Sequence, residues 1–352
     1  MRVTSLASGS SGNALLVEAG PQGRTKILVD AGLAGRILIE RLRHAGTHPK
    51  QLQGVLITHE HIDHVIGLPV LMKRYGIPAI TAPATLAAIQ QNSTSWSVDL
   101  EIPVNTAALP PLTASSPSPQ SEEISSMATN SNTRLYEEPA EEISSMVTNS
   151  NTRSYGEPAE NRLSSVGGGK PFAPTMPMQV GSRHIIGDIE VISFPVSHDA
   201  VAPCGYLLTA GGCRICIATD TGEVTPTMLE AMRHADLLIL ESNHDRERLI
   251  RGPYPYPLKQ RVLSATGHLS NDQAADAVLQ TWRTDSVRWL WLSHLSRTNN
   301  TPKLALQSMI NRLQKAGASL EQIHISVSPP GMGGVWDSTQ LWHSPSLWEI
   351  PE

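Results

Sequence analysis

Cysteine is scarce in this chain: three residues, Cys204, Cys213 and Cys216, among 352. That excludes a disulfide framework and makes a reduced, cytoplasmic setting the expectation. Cys213 and Cys216 lie within or beside a segment, Arg214 to Thr219, that reads as a β-strand, where positions three apart point to opposite faces. They could not grip one metal together, so buried structural thiols are expected. Long apolar runs are also missing. Nothing approaches the ~18 residues of a membrane span, and the first residues, Met1 to Ala7, lack the apolar stretch of an export signal, so no membrane partner is expected. Charged residues are few, 17% against 40% hydrophobic, which fits a globular protein with a real core.

The net charge of −5 has a local origin. Residues 122–140 recur as 141–159 with 16 of 19 positions identical, and the two copies hold seven Glu against two Arg. Outside them, 25 basic residues face 25 acidic ones, so the acidic total does not argue against an anionic substrate. Solenoids need about three copies and an apolar face to stack. This repeat, flanked by prolines and by Gly167-Gly168-Gly169, has neither, and 105–174 reads as a disordered polar insertion. Deleting residues 115–165 and bridging the gap with a short Gly/Ser linker is therefore expected to leave melting temperature and metal content nearly unchanged. A drop of many degrees would show that the insertion packs on the core.

The chemistry concentrates at Thr58-His59-Glu60-His61-Ile62-Asp63-His64. His59, His61, Asp63 and His64 fall at i, i+2, i+4 and i+5, which no regular helix can bring to one centre. The apolar run Val55 to Thr58 reads as a strand, and a strand passing through a bend into a helix start, with Gly67 and Pro69 beyond, can converge all four. Imidazoles with a carboxylate suit Zn²⁺, and less selectively Mn²⁺ or Fe²⁺. Further along, four apolar strands end in Ser197-His198-Asp199, Thr219-Asp220-Thr221, Glu241-Ser242-Asn243-His244-Asp245 and Ser293-His294-Leu295. A single such histidine is more often a turn or core residue; several at equivalent strand ends point to a shared site. Ser8 to Asn13 is a Gly/Ser turn without the Lys of a phosphate-cradling loop. Arg246 to Arg261 holds five basic residues, one acid and two tyrosines, and reads either as a nucleic-acid contact with stacking rings or as a solvated Pro-rich loop.

The His-x-His-x-Asp-His run after an apolar strand resembles the signature of the metallo-β-lactamase superfamily. The resemblance implies an α/β fold, a four-layer αββα sandwich formed as a single domain over 1–352 apart from the insertion. It implies two divalent metal ions, Zn²⁺ with Mn²⁺ as the alternative: His59, His61 and His198 on one, Asp63, His64 and His294 on the other, Asp220 bridging. Asp30 matches a supporting aspartate. Lactamases of this fold commonly carry cysteine where Asp220 stands, so the aspartate points to a dinuclear hydrolase instead. Gly267-His268-Leu269-Ser270, Glu241, and His294-Leu295-Ser296 with Asn299-Asn300 are similar to the phosphodiesterase branch that includes ribonuclease Z, and most to YycJ-type bacterial proteins. The catalytic set so implied is His268 as proton donor, Glu241 orienting it, and Asp63. The expected reaction is attack of metal hydroxide on a phosphodiester, with DNA or RNA as substrate. Two readings stand beside it: a thioesterase or lactonase of the same fold, and a metal-binding regulatory protein without turnover.

Overall fold

The computed structural model describes residues 1–93 and 175–341; the repeat and the rest of the expected insertion at 105–174 lie outside them. The first sheet takes β1 (Arg2–Ala7), β2 (Ala14–Ala19), β3 (Thr25–Val29), β4 (Gly54–Leu56), β5 (Ala79–Thr81) and β6 (Met176–Pro177) in order. The second runs from β7 (Arg183–Ile186) through β8 (Ile189–Pro195), β9 (Cys204–Ala210), β10 (Cys213–Ala218), β11 (Leu237–Glu241) and β12 (Arg288–Ser293) to β13 (Ile323–Val327). The chain then returns to the first sheet, where β14 (Val335–Asp337) pairs antiparallel with β1.

Period-two alternation sorts the side chains into three apolar clusters. Val17, Ile27, Ile215, Ile217, Leu237 and Ile239 meet in the core between the sheets. Their chain neighbours Leu16 and Leu28 face away, against Leu38 and Leu42 of α1 (Gly35–His44) and against Leu68 and Leu71, which come from beyond the short α2 (Ile62–Val65), in α3 (Leu68–Tyr75). Ile89 of α4 (Pro83–Ser93) joins that cluster. On the opposite outer face, Leu238, Leu240, Leu290 and Leu292 pack on helices that follow the second-sheet strands. Both sheets are thus covered on both faces, which is why their strands read as continuous apolar runs. The result is the expected αββα sandwich. Cys213 faces the central core and Cys216 the outer one, as the strand period requires, and Cys204 is buried as well.

The helices of the second half are α5 (Pro226–Arg233), α6 (Arg246–Arg251), α7 (Tyr256–Leu263), α8 (Asn271–Gln280) and α9 (Pro302–Lys315). Here the sequence reading needs one correction. Of the two readings of Arg246 to Arg261, the Pro-rich loop is the one corrected: the segment forms α6 and most of α7. Asp245 caps α6 by accepting from the Arg248 N–H, and Pro257 sits in the first turn of α7, where a missing N–H costs nothing.

Strands β10, β11, β12 and β13 run parallel, with Ala218 beside Leu240 and Glu241 beside Ser293. Their carboxyl ends therefore share one edge, the usual place for a site in such sheets. The edges of the two sheets are stitched there: the Cys204 N–H donates to the Thr58 carbonyl at 3.1 Å, and the His294 N–H donates to Ser8 Oγ at 2.9 Å. The Gly/Ser turn at Ser8–Asn13 is part of this seam.

Candidate metal centre

His59, His64, His198 and His294 are each held by Nδ1, which turns Nε2 inward; His61 has no such support among the described residues, and His64 Nε2 also lies 3.0 Å from Asn13 Nδ2. The Thr58 N–H and hydroxyl donate to the Asp30 carboxylate at 2.9 and 3.0 Å. Because that hydroxyl gives its proton to Asp30, it accepts from His59 Nδ1 at 3.0 Å. His64 Nδ1 donates to Asp30 at 2.8 Å, and His198 Nδ1 to the Gly267 carbonyl at 3.2 Å. Asp30 thus fixes His64 directly and His59 through Thr58, the way a supporting carboxylate orients candidate ligands.

The seven residues expected as ligands come together at the shared edge. His59, His61 and His198 form one metal-sized group and Asp63, His64 and His294 another; Asp220 groups with His59 and His64. His198 Nε2 lies 3.3 Å from His61 Nδ1. That is about the edge of a tetrahedron with metal–nitrogen bonds of ~2.0–2.1 Å. Three inward atoms, His59 Nε2, His294 Nε2 and Asp220 Oδ2, are buried without a hydrogen-bond partner. Orphaned buried donors and acceptors are costly, and these three are explained together by a cation. The donor set fits a divalent ion of the zinc type.

The electrostatics agree. Burial holds the His59 imidazole well below its ordinary value, and His198 is lowered for the same reason, so both stay neutral as ligation requires. Burial would also lower His64, but Asp30 and Asp220 carry it well above its ordinary value. His294, opposed in the same way by burial, is raised to about 10, chiefly by Asp220. The carboxylates draw positive charge onto these two imidazoles, which a divalent cation would supply instead.

Glu241 and His268 form a further metal-sized group with Asp220 and His294, and they are tied to each other by a hydrogen bond. Glu241 is completely buried and accepts from His268 Nδ1 at 2.7 Å, from His294 Nδ1 at 2.9 Å and from the Thr221 N–H at 2.9 Å. Burial would raise its pKa, yet the His268 charge and these bonds bring it to about 2. The His268 ring, 22% exposed, spends Nδ1 on Glu241 and is the more open of the two imidazoles that share this carboxylate. It precedes Ser270, the N-cap of α8.

Sequence reading missed the second task of Glu241, orienting His294, because nothing local ties residues 53 apart. Asn299 and Asn300, part of the resemblance to the phosphodiesterase branch, could hold substrate or simply lead into a helix capped at Thr301. Both are buried, and Asn300 donates to the Ser242 carbonyl at 2.8 Å, bracing the turn after β11, while Thr301 caps α9. His244 is fully buried with neither ring nitrogen bonded, and burial lowers it to about 4, so it is a neutral core imidazole.

Comparison with known proteins follows the same lines. Residues 7–117 match the family described as the metallo-beta-lactamase superfamily, and residues 149–288 match the beta-lactamase superfamily domain. The exodeoxyribonuclease WalJ of Streptococcus pneumoniae is 31% identical over 311 residues, 88% of this chain and 87% of its own. The chain belongs to the metallo-β-lactamase superfamily. The exodeoxyribonuclease YycJ of Bacillus anthracis is likewise 31% identical, over 93% of this chain and 95% of its own. The superfamily fold is shared with the crystal structure of the metallo-beta-lactamase fold protein YhfI from Bacillus subtilis, at a TM-score of 0.56 and 15% identity, covering 96% of this chain and 99% of that one. No helix among the described residues is long and apolar enough to cross a membrane.

Gly32 supports the metal loop that the superfamily signature forms. A Cβ there would lie 1.6 Å from the Asp63 carbonyl oxygen and 2.6 Å from the Asn13 nitrogen, both backbone atoms that cannot swing away. Gly32→Ala is expected to destabilise by about 1–3 kcal/mol or more and to lower bound metal, read by thermal melting and elemental analysis. Wild-type values in both would mean that the loop position is not fixed by this contact.

Proposed function

We propose that this protein is a metal-dependent nuclease that hydrolyses phosphodiesters of DNA and releases nucleotides from an end. The observation that carries the reading is the Glu241–His268 pair, a buried carboxylate holding a partly open imidazole beside the seven-residue cluster. A thioester expels a thiolate, which leaves without a proton and needs no such donor. The two relatives named exodeoxyribonuclease, each aligned over most of this chain, support DNA and end-directed cleavage. Two divalent cations per chain, Zn²⁺ by donor chemistry with Mn²⁺ the alternative, would be held by His59, His61 and His198 and by Asp63, His64 and His294, with Asp220 available to both.

When bound, such ions supply a water made nucleophilic at neutral pH and positive charge against the phosphoryl oxygens. The protein does the rest. Asp30, Thr58 and the Gly267 carbonyl hold the imidazoles of His64, His59 and His198 in their ligating tautomers. Asp63, beside His64 and His294, completes the second set. Glu241 fixes His268 Nδ1, leaving Nε2 to give a proton to the departing oxygen, a step that contributes ~10²–10⁴-fold.

The test is hydrolysis of end-labelled single- and double-stranded DNA and RNA by the metal-loaded protein, beside a glutathione thioester. Mononucleotide release from DNA is the expected result. Turnover of the thioester alone would overturn the reading.

A further inference from the structure

We propose that the hairpin of α6 and α7 is the surface that receives a single-stranded polynucleotide and leads its end into the metal site. The proposal rests on the nuclease reading and adds where, and in which strand form, the substrate is held.

Both ends of the hairpin are rooted in the site. It departs at Arg246, just after the strand end that carries Glu241, and it returns at the His268 loop. The His268 N–H donates to the Val262 carbonyl at 3.0 Å, and the Gly267 N–H to the Ser264 carbonyl at 2.9 Å. Arg261, near the end of α7, grips Asp199 at 2.6 Å, and Asp199 in turn lies 3.4 Å from His198 Nε2. Any ligand on α7 is therefore delivered next to the proposed proton donor and one metal set.

The surface combines cations with exposed apolar side chains. The segment carries Arg246, Arg248, Arg251, Lys259 and Arg261 against one acid of its own, Glu247; Arg261 is paired with Asp199, and Arg248 and Lys259 donate to the Thr298 and Ile250 carbonyls. The Glu247–Arg251 pair is about four-fifths exposed on both sides, so solvent screens it and Arg251 remains available to a phosphate. Of the large apolar side chains exposed among the described residues, Ile250, Tyr256, Leu258 and Leu263 lie on this hairpin, with Val201 close to His198 and Ile62 on the metal loop. Positive charge alone would suit a phosphate backbone of any form. Uncovered rings and aliphatic groups beside it suit bases, which only an unpaired strand presents.

Tyr256 is the residue placed to stack. The residue is 73% exposed, at the start of α7 between Pro255 and Pro257, whose fixed φ angles stiffen the backbone beneath it. The eight residues of α7 set Tyr256 about 10 Å from Leu263 at ~1.5 Å per residue. That is roughly three nucleotides at ~3.4 Å of rise per stacked base. Aromatic stacking tolerates any base, which suits an enzyme working along a strand.

The experiment uses the full metal-loaded chain and Tyr256→Ala. Fluorescence anisotropy is read with single-stranded DNA and RNA 15-mers and a blunt DNA duplex, and turnover with bis(p-nitrophenyl) phosphate. Tyr256→Ala is expected to weaken single-strand binding about tenfold or more, at least tenfold beyond any loss on the duplex or in turnover of the small ester. Loss on the DNA strand, the RNA strand or both supports the proposal. Arg251→Gln is expected to reduce the slope of log affinity against log salt by about one. Unchanged single-strand affinity in Tyr256→Ala, or equal losses on strand and duplex, overturns it. So does sedimentation showing that Tyr256→Ala dissociates a dimer while strand affinity is kept, since the hairpin would then be covered by a second copy. Failure of the nuclease reading looks different: the wild type would hydrolyse neither the ester nor any strand.

Discussion

Asp220→Ala is expected to remove most activity and to bring bound metal from about two ions per chain toward one or none. Asp220 is fixed between the two proposed metal sets: Oδ2 lies 3.3 Å from His64 Nε2, and Oδ1 lies 3.3 Å from His294 Nδ1. It also shares a metal-sized group with His59 of the first set. Burial would raise its pKa, but His294 and His64 carry it well below the usual carboxylate range, so it is ionised and can ligate. Its removal also strips charge compensation from two buried imidazoles, a kind of loss that costs about 3–5 kcal/mol. Asp220→Asn, which keeps the volume and one acceptor oxygen, separates ligation from packing. It should melt closer to wild type than the alanine variant yet still lose metal. Elemental analysis and turnover decide the matter: one tight ion in the wild type, with full activity in Asp220→Ala, would end the dinuclear proposal.

His268→Ala is expected to keep the fold and both metals and to lose about 10²-fold or more in turnover where the leaving group is a nucleoside oxygen. With p-nitrophenolate, which departs without a proton, the loss should be much smaller. The geometry motivates the split. His268 Nδ1 is committed to Glu241 at 2.7 Å, and the ring is partly open, while His294, which also bonds Glu241, is buried. Equal losses on both esters with metals retained would exclude a proton donor and leave a positioning role. Loss of a metal would instead make His268 a ligand.

The sequence alone carried the fold class and the nominated residues. The convergence of His59 to His64 was legible because the candidate ligands are contiguous, and a spacing that no helix can converge implies a strand-end loop. Asp220, Glu241 and His294 were legible because each follows an apolar run, and parallel strands put such ends on one edge. The insertion at 105–174 was read from composition alone and lies outside the described residues.

Tertiary structure decided what local pattern cannot encode. Asp30, Asp220 and His294 adopt left-handed backbone angles, φ 60, 55 and 54. Non-glycine residues hold such angles at a cost of about 1–3 kcal/mol each; the Asp30 N–H is held by the Leu56 carbonyl and the His294 N–H by Ser8 Oγ across the seam. The prolines of residues 253–257 read as breakers, yet Pro255 precedes α7 and Pro257 sits in its first turn, positions where proline is harmless. Asn299 and Asn300 were open between substrate contacts and the approach to a helix cap; both are buried, and Asn300 donates to the Ser242 and Asn243 carbonyls of the turn after β11. The double use of Glu241 by His268 and His294 is likewise tertiary in origin. It joins side chains from three separate segments of sequence, and only the parallel register of β11 with β12, together with the return of the chain through α7, sets them within one hydrogen bond of a single buried carboxylate.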